Sequence, residues 1–264
     1  MSKKEKVKYA LLSLAVVAVA GMIVAVSQQK SVAVTATPKE RTLPIYCVQK
    51  EKPQIALTFD AAWGNEDTEV ILSILEEYNV KATFFMTGGW VKSYPEDVKK
   101  ILAAGHDLGN HSENHLNMSG LSDAEKEEEL MMVHNRVKQL TDYEMFLFRP
   151  PYGDYDEKVV NCAKKCGYYT IQWDVDSLDW KDYGTDSIIK TVCGHKHLGN
   201  GSIILCHNGA KYTASALARM IETLQAKGYE FVPVSELIHK DNYYMDHEGR
   251  QIPYEDKTSE ADSE

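Results

Sequence analysis

Several residues able to move protons or hold a metal ion stand at the ends of separate apolar runs in this chain. Asp60 closes the run Ile55–Phe59 within Thr58-Phe59-Asp60-Ala61-Ala62-Trp63-Gly64. An ionisable group directly behind a buried strand is a candidate catalytic residue, although a carboxylate there also serves as a loop cap. His111 and His115, in His111-Ser112-Glu113-Asn114-His115, are four apart. On a helical turn that spacing faces two imidazoles the same way and lets them reach one metal ion, but it also occurs on solvated faces. Arg149 enters Pro150-Pro151-Tyr152-Gly153, a rigid turn able to aim backbone N–H groups at a fixed point. A buried guanidinium wants a carboxylate, and Asp60 is available as its partner. Trp173-Asp174-Val175-Asp176-Ser177-Leu178-Asp179-Trp180 gathers three acids and two tryptophans, and Ile204-Leu205-Cys206-His207-Asn208 sets one more histidine at the end of an apolar run.

The elements that must position these groups alternate along the chain. Apolar runs at Ile55–Phe59, Thr83–Met86, Asp107–Asn110, Met145–Arg149, Tyr169–Trp173, Ser202–Cys206 and Glu230–Val234 have strand length. Between them, helical spacing covers 67–78, 95–104, 122–140, 156–166, 185–195 and 213–227, with Gly105, Gly167 and Gly228 where a helix should stop. Such alternation predicts a parallel sheet, and one domain of this length favours a distorted, nearly closed (β/α) barrel of about seven strands. Active sites in barrels gather where strands end, which is where the polar clusters fall.

Taken in order, Thr58-Phe59-Asp60, His111 to His115, Arg149 to Gly153, Asp176 to Trp180 and Leu205 to His207 resemble the five motifs of the polysaccharide deacetylases with NodB homology, carbohydrate esterase family 4. The resemblance covers Lys52 to about Leu237 and implies a NodB-like barrel that hydrolyses an N-acetyl amide. It further implies that Asp60 is the general base, oriented by Arg149, and that His111 and His115 bind a divalent metal, zinc foremost, with cobalt, nickel or manganese as alternatives. Tyr152 would give an oxyanion N–H, His207 would be the general acid tuned by Asp179, and Trp180 and Leu205 would wall the acetyl pocket. One departure matters: the family's second aspartate, its third metal ligand, is Ala61 here, and Ala62-Trp63 replaces the usual Gly-Pro. That altered motif resembles a sporulation-associated branch and suggests a spore-forming bacterium. Three functions follow: deacetylation of a cell-wall glycan (peptidoglycan, or chitin-type oligosaccharide), glycan binding without hydrolysis, and hydrolysis of a non-sugar amide.

The remaining sequence bounds the setting. Of the formal net charge of -10, six units come from 241–264, where eight acids face two bases. The rest is only mildly acidic, which argues against nucleic acid as a partner. Tyr9–Val26 is an uncharged, largely apolar run of 18 residues behind a lysine-rich stub. As a helix it spans about 27 Å, enough to cross a bilayer with the N-terminus in the cytoplasm; a cleaved signal peptide is the alternative, and both export the domain. The predicted layout is a stub and single-pass anchor over 1–27, a linker over 28–42, the deacetylase domain over 43–240 and an acidic, disordered tail over 241–264. A monomer at the cell membrane acting on cell-wall glycan is the expectation. Five cysteines leave at least one thiol unpaired, with Cys162 and Cys166 spaced to meet on a helix.

Overall fold

The computed structural model describes residues 42–254 and the single residue Lys4. The expected membrane span lies outside the described residues, among which no helix is long and apolar enough to cross a membrane.

The elements run β1 (Cys47–Val48), β2 (Gln54–Ala61), α1 (Thr68–Glu77), β3 (Thr83–Met86), α2 (Gly88–Ser93), α3 (Pro95–Ala103), β4 (Asp107–Asn110), α4 (Asp123–Thr141), β5 (Leu147–Phe148) and α5 (Glu157–Lys165). There follow β6 (Tyr169–Thr170), β7 (Val175–Asp176), α6 (Thr185–Cys193), β8 (Ile203–Asn208), α7 (Thr213–Ala226), β9 (Glu230–Phe231), α8 (Val234–Leu237), β10 (Tyr243–Met245) and β11 (Arg250–Pro253). The main sheet has the order β6-β5-β4-β3-β2-β8-β7, all parallel, with β9 also on β2. Its edge strands β6 and β7 are joined through residues 171–174 alone, so the sheet curls on itself into a distorted (β/α) barrel.

The central strand shows why the sequence folds this way. Successive strand side chains leave opposite faces. Ile55, Leu57, Phe59 and Ala61 join the large apolar cluster with α1, α4 and α7, while Ala56 joins a smaller cluster with Phe85, Ile171 and Ile203. Thr58 and Asp60 share the Ala56 face. A strand covered on both sides reads as a continuous apolar run, and the one charge in β2 stands at its C-terminal end. Helix ends follow local chemistry. Ser122 and Glu125 form a reciprocal capping box on α4, Asp156 caps α5, and Gly105, Gly167 and Gly228 take positive φ behind α3, α5 and α7. On α4, Leu130, Val133 and Val137 are fully buried, each worth about 1.5–3 kcal/mol of apolar burial.

The strand expected at Glu230–Val234 stops at Phe231 because Pro233 cannot donate to the ladder and instead opens α8. The expectation of a disordered tail over 241–264 fails for its first part. β10 and β11 form an antiparallel hairpin, and β11 runs parallel to β1 in a separate three-stranded sheet. Its turn is held by the Asp246 carboxylate, which accepts from Glu248 N at 2.9 Å and Arg250 N at 2.8 Å. Gln251, fully buried, exchanges hydrogen bonds with the backbone of His239 at 2.6 and 2.7 Å. Acidic composition hid two strands of three and four residues whose partner lies near the start of the domain. Residues 255–264 lie outside those described.

Candidate active site

Asp60 is 5% exposed near the C-terminal end of β2. Arg149, fully buried just past β5, donates from Nη1 to Asp60 Oδ1 at 2.7 Å and to Thr58 Oγ1 at 2.9 Å, and from Nη2 to the Gln172 carbonyl at 3.2 Å. Its guanidinium lies over the Phe85 ring at 4.1 Å. The guanidinium is thus fixed by a carboxylate, a hydroxyl, a carbonyl and an aromatic face. Burial works against charge on Asp60, but Arg149, with His111 and His207 adding to it, holds the carboxyl below its ordinary value. Asp60 is therefore an anion at neutral pH.

His111 and His115 are brought together, their ring centroids 4.9 Å apart, but not on a helical turn. Residues 111–115 form a loop in which Ser112 and His115 take φ of 67° and 56°. Asn110 Oδ1 accepts from Ser112 N at 2.9 Å and Ser112 Oγ accepts from His115 N at 3.0 Å, so side-chain acceptors replace the helical backbone bonds. His111 Nδ1 is 2.7 Å from the Arg149 carbonyl, which can only accept, so Nδ1 carries the proton. Nε2 is left with its lone pair, 3.5 Å from Asp60 Oδ2. Burial pushes His111 down to about 4 and also lowers His115, so both rings are neutral and able to ligate.

The fit to a divalent metal is a two-nitrogen one. Among the described residues no three His, Cys, Asp or Glu side chains are gathered to hold an ion. Position 61 supplies a fully buried methyl group in the apolar cluster with Phe59 and Met86. The donors suit an ion taking two imidazoles with solvent at its other positions, and the carbonyl bond behind His111 is the outer-shell support such ligands use.

On the neighbouring strand β8, His207 pairs in register with Asp60. Both lie within their strands and not beyond them, because β2 and β8 extend past the apolar runs. His207 Nδ1 bonds Asp179 Oδ1 at 2.7 Å and its backbone N–H donates to Asp179 Oδ2 at 2.7 Å. Asp179 is fully buried and also accepts from Thr213 Oγ1 at 2.6 Å. Burial opposes charge on His207, yet the Asp179 hydrogen bond and charge, with Asp60 and Asp176 behind them, raise its pKa. In Asp179→Asn the hydrogen bond can persist without the charge, leaving burial the larger influence. His207 should then lose its proton at lower pH, and any activity that needs its charged form should show its alkaline limb shifted down by about 1–3 units. A pH–rate profile reads this directly; an unmoved limb would rule out His207 as its source.

Tyr152 sits in a single 3-10 turn with φ of 60°, its ring edge-on to His115 at 4.5 Å and 66% exposed. Trp180, half exposed in the turn 179–181, and Leu205, buried within β8 two residues before His207, complete the residues singled out from sequence. Two residues of the site, Thr58 and Thr213, were not singled out, and the contact that Trp63 makes was not foreseen. Thr58 was legible, two residues before Asp60 and so on the same face of β2. Thr213 and the stack of Trp63 on His207 carry no sequence signal of their own.

The polysaccharide deacetylase family matches residues 48–171. A peptidoglycan-N-acetylglucosamine deacetylase of Bacillus cereus is 38% identical over 189 residues, which is 70% of this chain and 87% of that protein. An uncharacterized protein of Bacillus subtilis is 36% identical over 195 residues; the match takes in 74% of this chain but only 60% of that relative's length. Among solved structures, a CE4 family pseudoenzyme from Bacillus anthracis superposes with a TM-score of 0.72 at 36% identity, covering 75% of this chain and 70% of that one. A mutant of that pseudoenzyme is described as having restored enzymatic activity.

Proposed function

The chain belongs to the polysaccharide deacetylase family, carbohydrate esterase family 4, and we propose that it is a hydrolase removing N-acetyl groups from the amino sugars of a cell-wall polysaccharide, peptidoglycan first and chitin-type oligosaccharide second. The observation that carries this reading is the pairing of an anionic, buried Asp60 with a cation-favouring, partly buried His207 on adjacent strands, each held by its own counter-charge. Two titratable groups pushed in opposite directions side by side are what acid–base hydrolysis needs.

In this reading Asp60 takes a proton from the attacking water, its Oδ1 fixed by Arg149. His207, charged and held through Nδ1, delivers a proton from Nε2 to the departing sugar nitrogen. The Tyr152 N–H steadies the oxygen of the tetrahedral carbon, while Trp180 and Leu205 enclose the acetyl methyl. A divalent ion on His111 and His115, zinc foremost and otherwise cobalt, nickel or manganese, would supply a polarised carbonyl and a more acidic water. The apolar run at residues 9–26 supports a single-pass membrane protein with its domain outside the cytoplasm.

A second reading has a specific observation behind it. With a methyl group at position 61 and no third protein ligand among the described residues, the chain would bind glycan without turnover, as a degenerate member. Acetate release by the purified domain from N-acetylglucosamine oligomers and from peptidoglycan, with each of the four metals added, separates the two. Turnover is the expected result. Glycan binding with no acetate under any metal establishes the second reading and ends the first.

A further inference from the structure

Trp63 stands where the family's usual motif has no aromatic residue, and its indole lies face to face with His207. The ring centroids are 5.1 Å apart at an interplanar angle of 25°, and Trp63 is 49% exposed. A half-exposed indole would ordinarily be mobile, but the loop beneath it is clamped. The Gly64 carbonyl accepts from Trp90 Nε1 and from Asn208 Nδ2, both at 3.2 Å. The Asp67 carboxylate accepts from Gly209 N at 2.9 Å and from Asn208 Nδ2 at 3.0 Å. Gly209 takes φ of +87°, and a Cβ there would meet Trp63 Cβ and the Gly64 backbone at 3.3 Å, so the residue after the 207–208 pair is small for this packing. The loop carrying Trp63 is therefore tied to the two residues that follow His207 in the chain.

His207 is held at one ring nitrogen by Asp179, and a single hydrogen bond leaves an imidazole free to rock about it. The indole removes that freedom by covering one face. Resting on the reading of His207 as the acid, we propose that Trp63 is a positioning residue: it fixes the plane of the imidazole so that Nε2 points at the sugar nitrogen. The indole also places the electron-rich face of an aromatic ring against a cationic one, a favourable arrangement. The indole itself need not touch the substrate for this to act.

The test compares Trp63→Ala and Trp63→Phe with the wild type on two substrates. One is an N-acetylglucosamine oligomer, whose amine must be protonated to leave; the other is 4-nitrophenyl acetate, whose phenolate leaves unaided. Trp63→Ala should lower kcat on the oligomer by roughly 10–100-fold with KM within about twofold, and leave the ester rate near wild type. Trp63→Phe, which keeps a ring on the imidazole, should recover most of the loss. In parallel, NMR of the His207 Nδ1 proton should show slow solvent exchange in the wild type and in Trp63→Phe, and fast exchange in Trp63→Ala. A rise in KM with kcat and proton exchange unchanged would make Trp63 a binding surface only and overturn the proposal, as would equal losses on both substrates. Should the wild type prove inactive, the deacetylase reading falls by itself. Proton exchange then decides for Trp63 alone: protection retained in Trp63→Ala refutes positioning, and protection lost supports it.

Discussion

Asp60→Asn should lower acetate release from an N-acetylglucosamine oligomer by about 10²–10⁴-fold, the usual contribution of a positioned base, and should lower thermal stability as well. The two halves of that expectation have different origins. Asparagine keeps an oxygen that can accept from Arg149 Nη1, now 2.7 Å from Oδ1, but it leaves a fully buried guanidinium without a counter-charge. What is lost is an anion able to take a proton. Glycan affinity should change little, because binding does not depend on that proton. Kinetics on the oligomer together with a glycan-binding titration would check both. An Asp60→Asn protein that turns over at more than a tenth of the wild-type rate would remove Asp60 from the role of base.

The second large effect is on stability. Arg149→Met keeps an unbranched apolar stem but strips the cation from beside a carboxylate that is only 5% exposed. Removing one partner of a buried pair costs about 3–5 kcal/mol, most of it the penalty of the charge left behind. The sign with pH follows from Asp60. In the wild type its folded pKa is depressed, so it adds stability above the unfolded value near 4 and loses that contribution as the pH falls through the folded value. In Arg149→Met burial becomes the larger influence, the folded pKa is raised, and acid relieves the penalty by protonating the carboxyl. The stability gap between the two proteins should narrow as the pH drops below about 5. The double variant Arg149→Met/Asp60→Asn should recover part of the loss at neutral pH, since no unpaired charge remains. Urea denaturation of the four proteins at two pH values measures all of this; additive losses would mean that the ion pair contributes nothing as a pair.

Most of the barrel was legible because its strands are buried on both faces and its helices carry their own stop signals, as at Gly105, Gly167 and Gly228. The Asp60–Arg149 pair was legible for a different reason. An arginine entering a Pro-Pro turn from an apolar strand has few ways to satisfy its charge, and Asp60 was the carboxylate at an equivalent strand end. The conformation of the histidine loop was not legible. A four-residue spacing fits a helical turn equally well, and only the acceptors on Asn110 and Ser112 decide for positive φ at 112 and 115. The hairpin at 243–253 escaped because strands of three or four residues leave no periodic trace, and the partner that orders them lies some two hundred positions away. The stack of Trp63 on His207 escaped because it depends on how closely two loops approach at Gly209, which residue types alone do not encode.

The pairing of β1 with β11 has a topological meaning. Tyr46 N donates to the Gly249 carbonyl at 2.9 Å and Gln49 N to the Gln251 carbonyl at 2.8 Å, so the polypeptide enters and leaves its barrel through one seam. Seen this way, the domain is nearly a closed ring that happens to be cut between its last hairpin and its first strand. The succession of aspartate, histidine pair, arginine, aspartate and histidine is then a cyclic order. Which of these groups comes first along the chain is set by the position of the cut, and the chemistry at the barrel mouth is indifferent to it.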